Sequence, residues 1–134
     1  MPERIISIRR RGGPVFEVIG RPTANGVTWV WAQNDLDMAT EVRARADLGA
    51  LLVGDTAPRF VLVYLGTERF VDVRGLRLLL ETAGQVRHRG GHLTVVAPPV
   101  CLQRMIQVLD VGDQLPVVTT AWHAVWRARR QAGG

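Results

Sequence analysis

Apolar and polar positions alternate in two rhythms along this chain, and the changes of rhythm mark out its elements. VFEVIG (15–20) and VTWVWA (27–32) have the short alternation and β-branched and aromatic content of strands. Between them PTANG (22–26) ends in Asn25-Gly26, a strong hairpin signal, so the two strands are expected to pair antiparallel. QNDLDMATEVRARADLGALLVGD then takes on helical spacing, with Asp37 or Thr40 as cap and an end near Gly54. Its apolar stripe is expected at Val42, Ala46, Gly49, Ala50 and Val53, with Leu48, Leu51 and Leu52 alongside and Arg43, Arg45 and Asp47 mostly on the wet side. FVLVYLG (60–66) is apolar without a break, the mark of a strand covered on both faces.

The same alternation of strand and helix continues to the end. From Arg74 a helix is expected with Leu76, Leu79, Leu80, Ala83 and Val86 inward, stopping at Gly90-Gly91. HLTVVA (92–97) reads as another buried strand. Pro98-Pro99 open a helix whose inward face is Val100, Leu102, Met105, Ile106 and Leu109. LPVV (115–118) is a short strand, and a last helix capped by Thr119 or Thr120 carries Trp122 and Trp126 one turn apart. A hairpin followed by helices alternating with buried strands predicts an α/β fold. It is a single domain with a mixed, mostly parallel sheet of four to five strands and about four helices.

Composition narrows the class. The 134 residues suffice for one core, expected over 14–126 between two basic tails, 1–13 and 127–134. All 17 basic residues are arginine, and each tail holds a net +3 of the chain's +5, which leaves the body close to neutral. Charge confined to the tails argues against a nucleic-acid surface, which would spread arginines and aromatics over a folded face. No apolar run is long enough to cross a membrane and the first residues lack a secretory core, so a cytoplasmic protein is expected. One cysteine, Cys101, lies in an apolar-periodic stretch and reads as core or near-core.

The chemistry for catalysis is sparse. His88, His92 and His123 have no metal-ligand spacing with one another or with Cys101. A phosphate loop needs a lysine that the chain lacks, and the single serine, Ser7, sits in the basic tail. The expectation is a protein that is not an enzyme and uses no cofactor or metal. Its informative residues lie in two turns that enter helices, NDLDMAT (34–40) and VDVRG (71–75), where Asp72 is placed to cap the second helix.

In order and spacing these turns resemble the STAS family, the domain named for sulfate transporters and anti-sigma factor antagonists. The likeness runs from about Phe16 to Trp126. Asn34-Asp35-Leu36-Asp37 and Met38-Ala39-Thr40 stand where bacterial anti-anti-sigma factors have a Gly-Glu-Leu-Asp-like turn, and Asp72-Val73-Arg74-Gly75-Leu76 stands for Asp-Ser-x-Gly-Leu. Gly90-Gly91, the proline-started helix and Leu-Pro-Val also match in order. The resemblance implies a module that binds an anti-sigma factor, often a serine kinase, and so frees a sigma factor. It also implies that phosphorylation of the serine after the aspartate breaks the complex.

This chain departs from that pattern. Val73 replaces the phosphorylated serine, Arg74 a small residue, Tyr64 an acidic or amide residue, Asn34 a glycine, and Asp110 a helix-ending glycine. The implied contact patch is Asp35, Asp37, Thr40, Asp72, Val73, Arg74 and Gly75, binding an anti-sigma factor or kinase-like protein constitutively. Arg74 is expected to favour an acidic partner surface, and a phosphorylation switch would have to use Thr67 or Thr40. Alternative readings are a subunit of a membrane transport complex, without insertion into the bilayer, and a sensor holding a small anion or nucleotide on Arg74 and helix amides. Whether the chain dimerises is left open.

Overall fold

The computed structural model describes residues 13–19, 26–53 and 57–119. Strands β1 (Phe16–Ile19), β2 (Val27–Ala32), β3 (Phe60–Tyr64), β4 (His92–Val96) and β5 (Val117–Val118) alternate after β2 with helices α1 (Glu41–Leu51), α2 (Val73–His88) and α3 (Val100–Leu109). The strands lie side by side in chain order; β1 runs antiparallel to β2, and β2 to β5 run parallel. This is the mixed, mostly parallel α/β sheet expected, with five strands and, among the described residues, three helices. The basic tails, most of the hairpin turn, the Gly54 helix end and the helix carrying Trp122 and Trp126 lie outside the described residues.

Because every crossover steps to the next strand in the same direction, the right-handed connections put their helices on one face of the sheet. There Val30, Val61, Val63, Leu93 and Val95 meet Ala44 and Leu48 of α1, Leu76, Leu79, Ala83 and Val86 of α2, and Leu102 and Ile106 of α3. The alternate strand residues, Val27, Phe60, Leu62, Val96 and Val118, form a second cluster on the opposite face, to which none of these three helices contributes. Both faces of β3 are therefore buried, which is why its sequence shows no alternation. Each fully buried Leu or Val in these clusters contributes about 1.5–3 kcal/mol relative to exposure.

Two helix faces differ from expectation. On α1 the stripe of Val42, Ala46, Gly49, Ala50 and Val53 faces solvent, and Ala44 and Leu48 are the buried pair. The helix packs on α2 and on β1, and β1 fixes its rotation. The half-buried Asp47 carboxylate accepts the amides of Val15 (2.7 Å) and Phe16 (3.0 Å), and Arg43 donates to Gly13 O (3.1 Å). Two residues assigned to the wet side thus hold the start of the edge strand, and a helix with apolar residues on two sides could not reveal which one packs. On α3, Val100 and Leu109 are more than half exposed, while Leu102 and Ile106 are buried and Cys101 and Met105 pack half-buried against the core. The α2 stripe holds, with Leu78 and Thr82 also buried and Leu80 half-buried. Asp110 takes the left-handed conformation (φ 55°, ψ 48°) that ends α3, in place of the usual glycine.

Candidate functional site

Parallel strands bring their following loops to one edge of the sheet, so the turns after β2 and β3 meet there. They are joined by more than proximity. Leu36 and Val71 form an isolated parallel bridge, with Leu36 N–H donating to Phe70 O (2.9 Å) and Asp72 N–H to Leu36 O (3.0 Å). Both side chains are buried. One parallel bridge thus ties the two turns to each other.

Each acid of the patch has a definite local task. Asp35 Oδ1 accepts the amide of Phe70 (3.0 Å), a second tie between the turns. Asp37 Oδ1 accepts the amides of Ala39 (2.9 Å) and Thr40 (3.2 Å), folding the turn before α1. Thr40 stands at the helix cap position without capping it. Its hydroxyl donates back to Asp35 O (2.6 Å) and accepts the Asp37 amide (3.1 Å), and the residue is only 5 % exposed. Asp72 is the true cap of α2: its Oδ1 accepts the amides of Arg74 (2.9 Å) and Gly75 (3.0 Å).

Gly75 explains the closeness of the turns. A Cβ there would lie 2.6 Å from Leu36 O, 2.7 Å from Leu36 Cβ and 2.9 Å from Val71 Cγ1. The glycine is needed for packing, so that the first turn of α2 can press on the preceding loop.

Val73 occupies the first position of α2 and is 53 % exposed. Met38 (67 %) and Phe70 (53 %), in the same two turns, are also exposed. Arg74 turns toward its own chain, 3.7 Å from Glu41, and Glu41 in turn pairs with Arg45 (3.2 Å), which reaches Glu81 on α2. The hydrogen bond to Glu81, then that to Glu41, raises the Arg45 pKa above its ordinary value. Sequence spacing shows only the i,i+4 pair of Glu41 with Arg45; the links to Arg74 and Glu81 arise from the packing of α1 on α2.

The remaining expectations fall as follows. Thr67 is exposed on the link after β3, whereas Thr40 is buried and engaged. Of the α2 amides and the Arg74 guanidinium that were expected to hold an anion, the amides of Arg74 and Gly75 donate to Asp72, and the half-exposed guanidinium lies 3.7 Å from Glu41. A polar depression of about 510 Å³ lies instead beside the stacked Trp31 and Tyr64 rings (4.9 Å between centroids), reaching Thr67, Glu68 and Arg69. Among the described residues no group of three His, Cys, Asp or Glu could hold a metal, and no helix is long and apolar enough to cross a membrane. His88 is exposed at the end of α2, His92 stacks on Phe60, and Cys101 is half-buried on α3.

A parallel sheet with one antiparallel edge strand and an aspartate-capped helix pressed on the preceding turn matches a known domain. The STAS domain family model covers residues 19–123, and the chain belongs to that family. No curated protein sequence matches it. Among solved structures it is similar to an anti-sigma factor antagonist from Mycobacterium paratuberculosis. That pair shares 22 % identity over 85 % of this chain and 94 % of the other, with a TM-score of 0.70. The unphosphorylated anti-sigma factor antagonist SpoIIAA is similar at 19 % identity over 86 % of this chain and 96 % of its own, TM-score 0.63. The murine anion transporter Slc26a9 matches at 16 % identity over 96 % of this chain, TM-score 0.67, but this chain spans only 24 % of it.

Proposed function

We propose that this chain is a non-catalytic protein-binding module that acts as an anti-sigma factor antagonist. It binds an anti-sigma factor through the edge formed by the two joined turns, and so regulates transcription from the cytoplasm. The observation that carries the reading is the placement of Val73. It stands exposed at the first position of a helix whose cap, Asp72, and whose neighbour, Gly75, are both fixed to the adjoining turn. A preformed edge of this kind loses little conformational freedom on binding. Val73 has no oxygen to accept a phosphoryl group, so the complex is not broken by phosphorylation there. Thr67, exposed on the same edge, is the residue through which a switch would have to act.

Capture from a lysate of the source cells, read by mass spectrometry, tests this with wild type beside Val73→Asp and Asp72→Ala. Recovery of an anti-sigma factor by wild type and its loss with Val73→Asp supports the antagonist. The similarity to the STAS portion of an anion transporter supports a second reading, a subunit of a membrane transport complex, and recovery of transporter subunits would replace the first reading by the second.

A further inference from the structure

The charge on this edge is opposite in sign to that of the whole chain. Residues 33–42 and 66–76 contain five acids against two arginines, although the protein carries a net +5. Both arginines are engaged within the chain: the half-exposed Arg74 lies 3.7 Å from Glu41, and Arg69 donates to Ala32 O (3.3 Å). Asp35, Asp37 and Asp72 each use one oxygen on backbone amides, and no described cation pairs with any of them. Amide bonds orient a carboxylate without cancelling its charge, so the field of the edge is negative. Among the same residues Met38, Phe70 and Val73 expose apolar side chains, and Val42 at the start of α1 is 80 % exposed.

We infer that this edge docks on a protein surface with an apolar centre and a basic rim. The inference rests on reading the edge as a protein-binding surface, and it reverses the partner charge that Arg74 alone suggests in the sequence. An apolar centre supplies the burial, and Met38, Phe70 and Val73 are the side chains it covers. The basic rim supplies the steering and the selection: a partner with an acidic rim would face Asp35, Asp37 and Asp72 with like charge. Arg74 then acts with Arg45 to offset Glu41 and damp the field of the edge, and is not the group that selects the partner's rim.

Two helical peptides test this, identical in a leucine stripe and differing only in flanking arginines or glutamates, titrated into the full chain and followed by amide NMR shifts. The arginine peptide should shift residues 36–42 and 70–75 and weaken on the order of tenfold between ~50 and ~300 mM NaCl. The glutamate peptide should fail to bind. Asp35→Asn with Asp37→Asn keeps the amide-accepting oxygens and should weaken the arginine peptide several-fold, whereas Arg74→Ala should leave it unchanged or tighten it. Equal or tighter binding of the glutamate peptide, binding of neither, shifts confined to another face, or marked loss with Arg74→Ala overturns the inference.

Purified kinase-fold anti-sigma factors of the source organism form a separate arm. If none binds while the arginine peptide docks on this edge, the antagonist reading falls and the surface chemistry stands. If one binds while the glutamate peptide is preferred, the antagonist reading stands and the inference falls.

Discussion

Replacing Gly75 by alanine adds one methyl group at the point where α2 meets the turn before α1. The new Cβ would lie 2.6 Å from Leu36 O and 2.7 Å from Leu36 Cβ, so the turns must separate by roughly 0.8 Å to restore ordinary contact at about 3.4 Å. That displacement acts directly on the Asp72 N–H to Leu36 O bond at 3.0 Å and the Leu36 N–H to Phe70 O bond at 2.9 Å. Overpacking of a tight site costs about 1–3 kcal/mol, while alanine in a helix regains up to about 1 kcal/mol, less in the first turn. A net loss of about 1–2 kcal/mol follows.

Gly84, in the middle of the same helix, is the control. Only Arg87 Nη2, at 3.8 Å, lies near its would-be Cβ, so Gly84→Ala should stabilise by about 0.5–1 kcal/mol. Urea denaturation of both variants beside wild type measures the two signs, and amide exchange should show Leu36 and Asp72 opening faster in Gly75→Ala alone. If Gly75→Ala is as stable as Gly84→Ala, the turns are not pressed together as described, and the case for a preformed edge fails with it.

Other variants probe the remaining supports of the fold and the edge. Asp72→Ala removes the α2 cap and should cost about 1 kcal/mol, with Asp72→Asn recovering most of it in thermal melts. Thr40→Val deletes a buried hydroxyl that joins Asp35 O to the Asp37 amide and should cost about 1–2 kcal/mol by urea denaturation. Asp47→Ala leaves the amides of Val15 and Phe16 without their carboxylate. A loss of about 2 kcal/mol is expected, with faster exchange confined to β1. Thr28→Val should stabilise by about 1 kcal/mol in the same assay, because the buried Thr28 Oγ1 has no hydrogen-bond partner among the described residues.

The edge was legible where its residues act on near neighbours. Asp72 capping α2, Asp110 ending α3 and the uninterrupted β3 each follow from local stereochemistry or from a run of one residue class. The meeting of the two turns at one edge followed from the parallel run of the strands before them, while the strand order itself was not legible. The resemblance of Asp72-Val73-Arg74-Gly75-Leu76 to the family motif pointed to the same place.

What sequence patterning could not supply was the choice between alternatives of equal local merit. Helix α1 has apolar residues on two sides, and only the Asp47 clamp on β1 and the packing on α2 turn Ala44 and Leu48 inward. The distance in sequence hides the pairing of Glu41 with Arg74, which the packing of α1 on α2 creates, and that of Asp35 with Phe70, which the bridged turns create. The sequence by itself determined the elements, because propensity, capping and periodicity act within a few residues. Tertiary structure alone decided which face of α1 is buried and which charge the edge presents. Those depend on contacts between segments more than thirty residues apart, which no local pattern encodes.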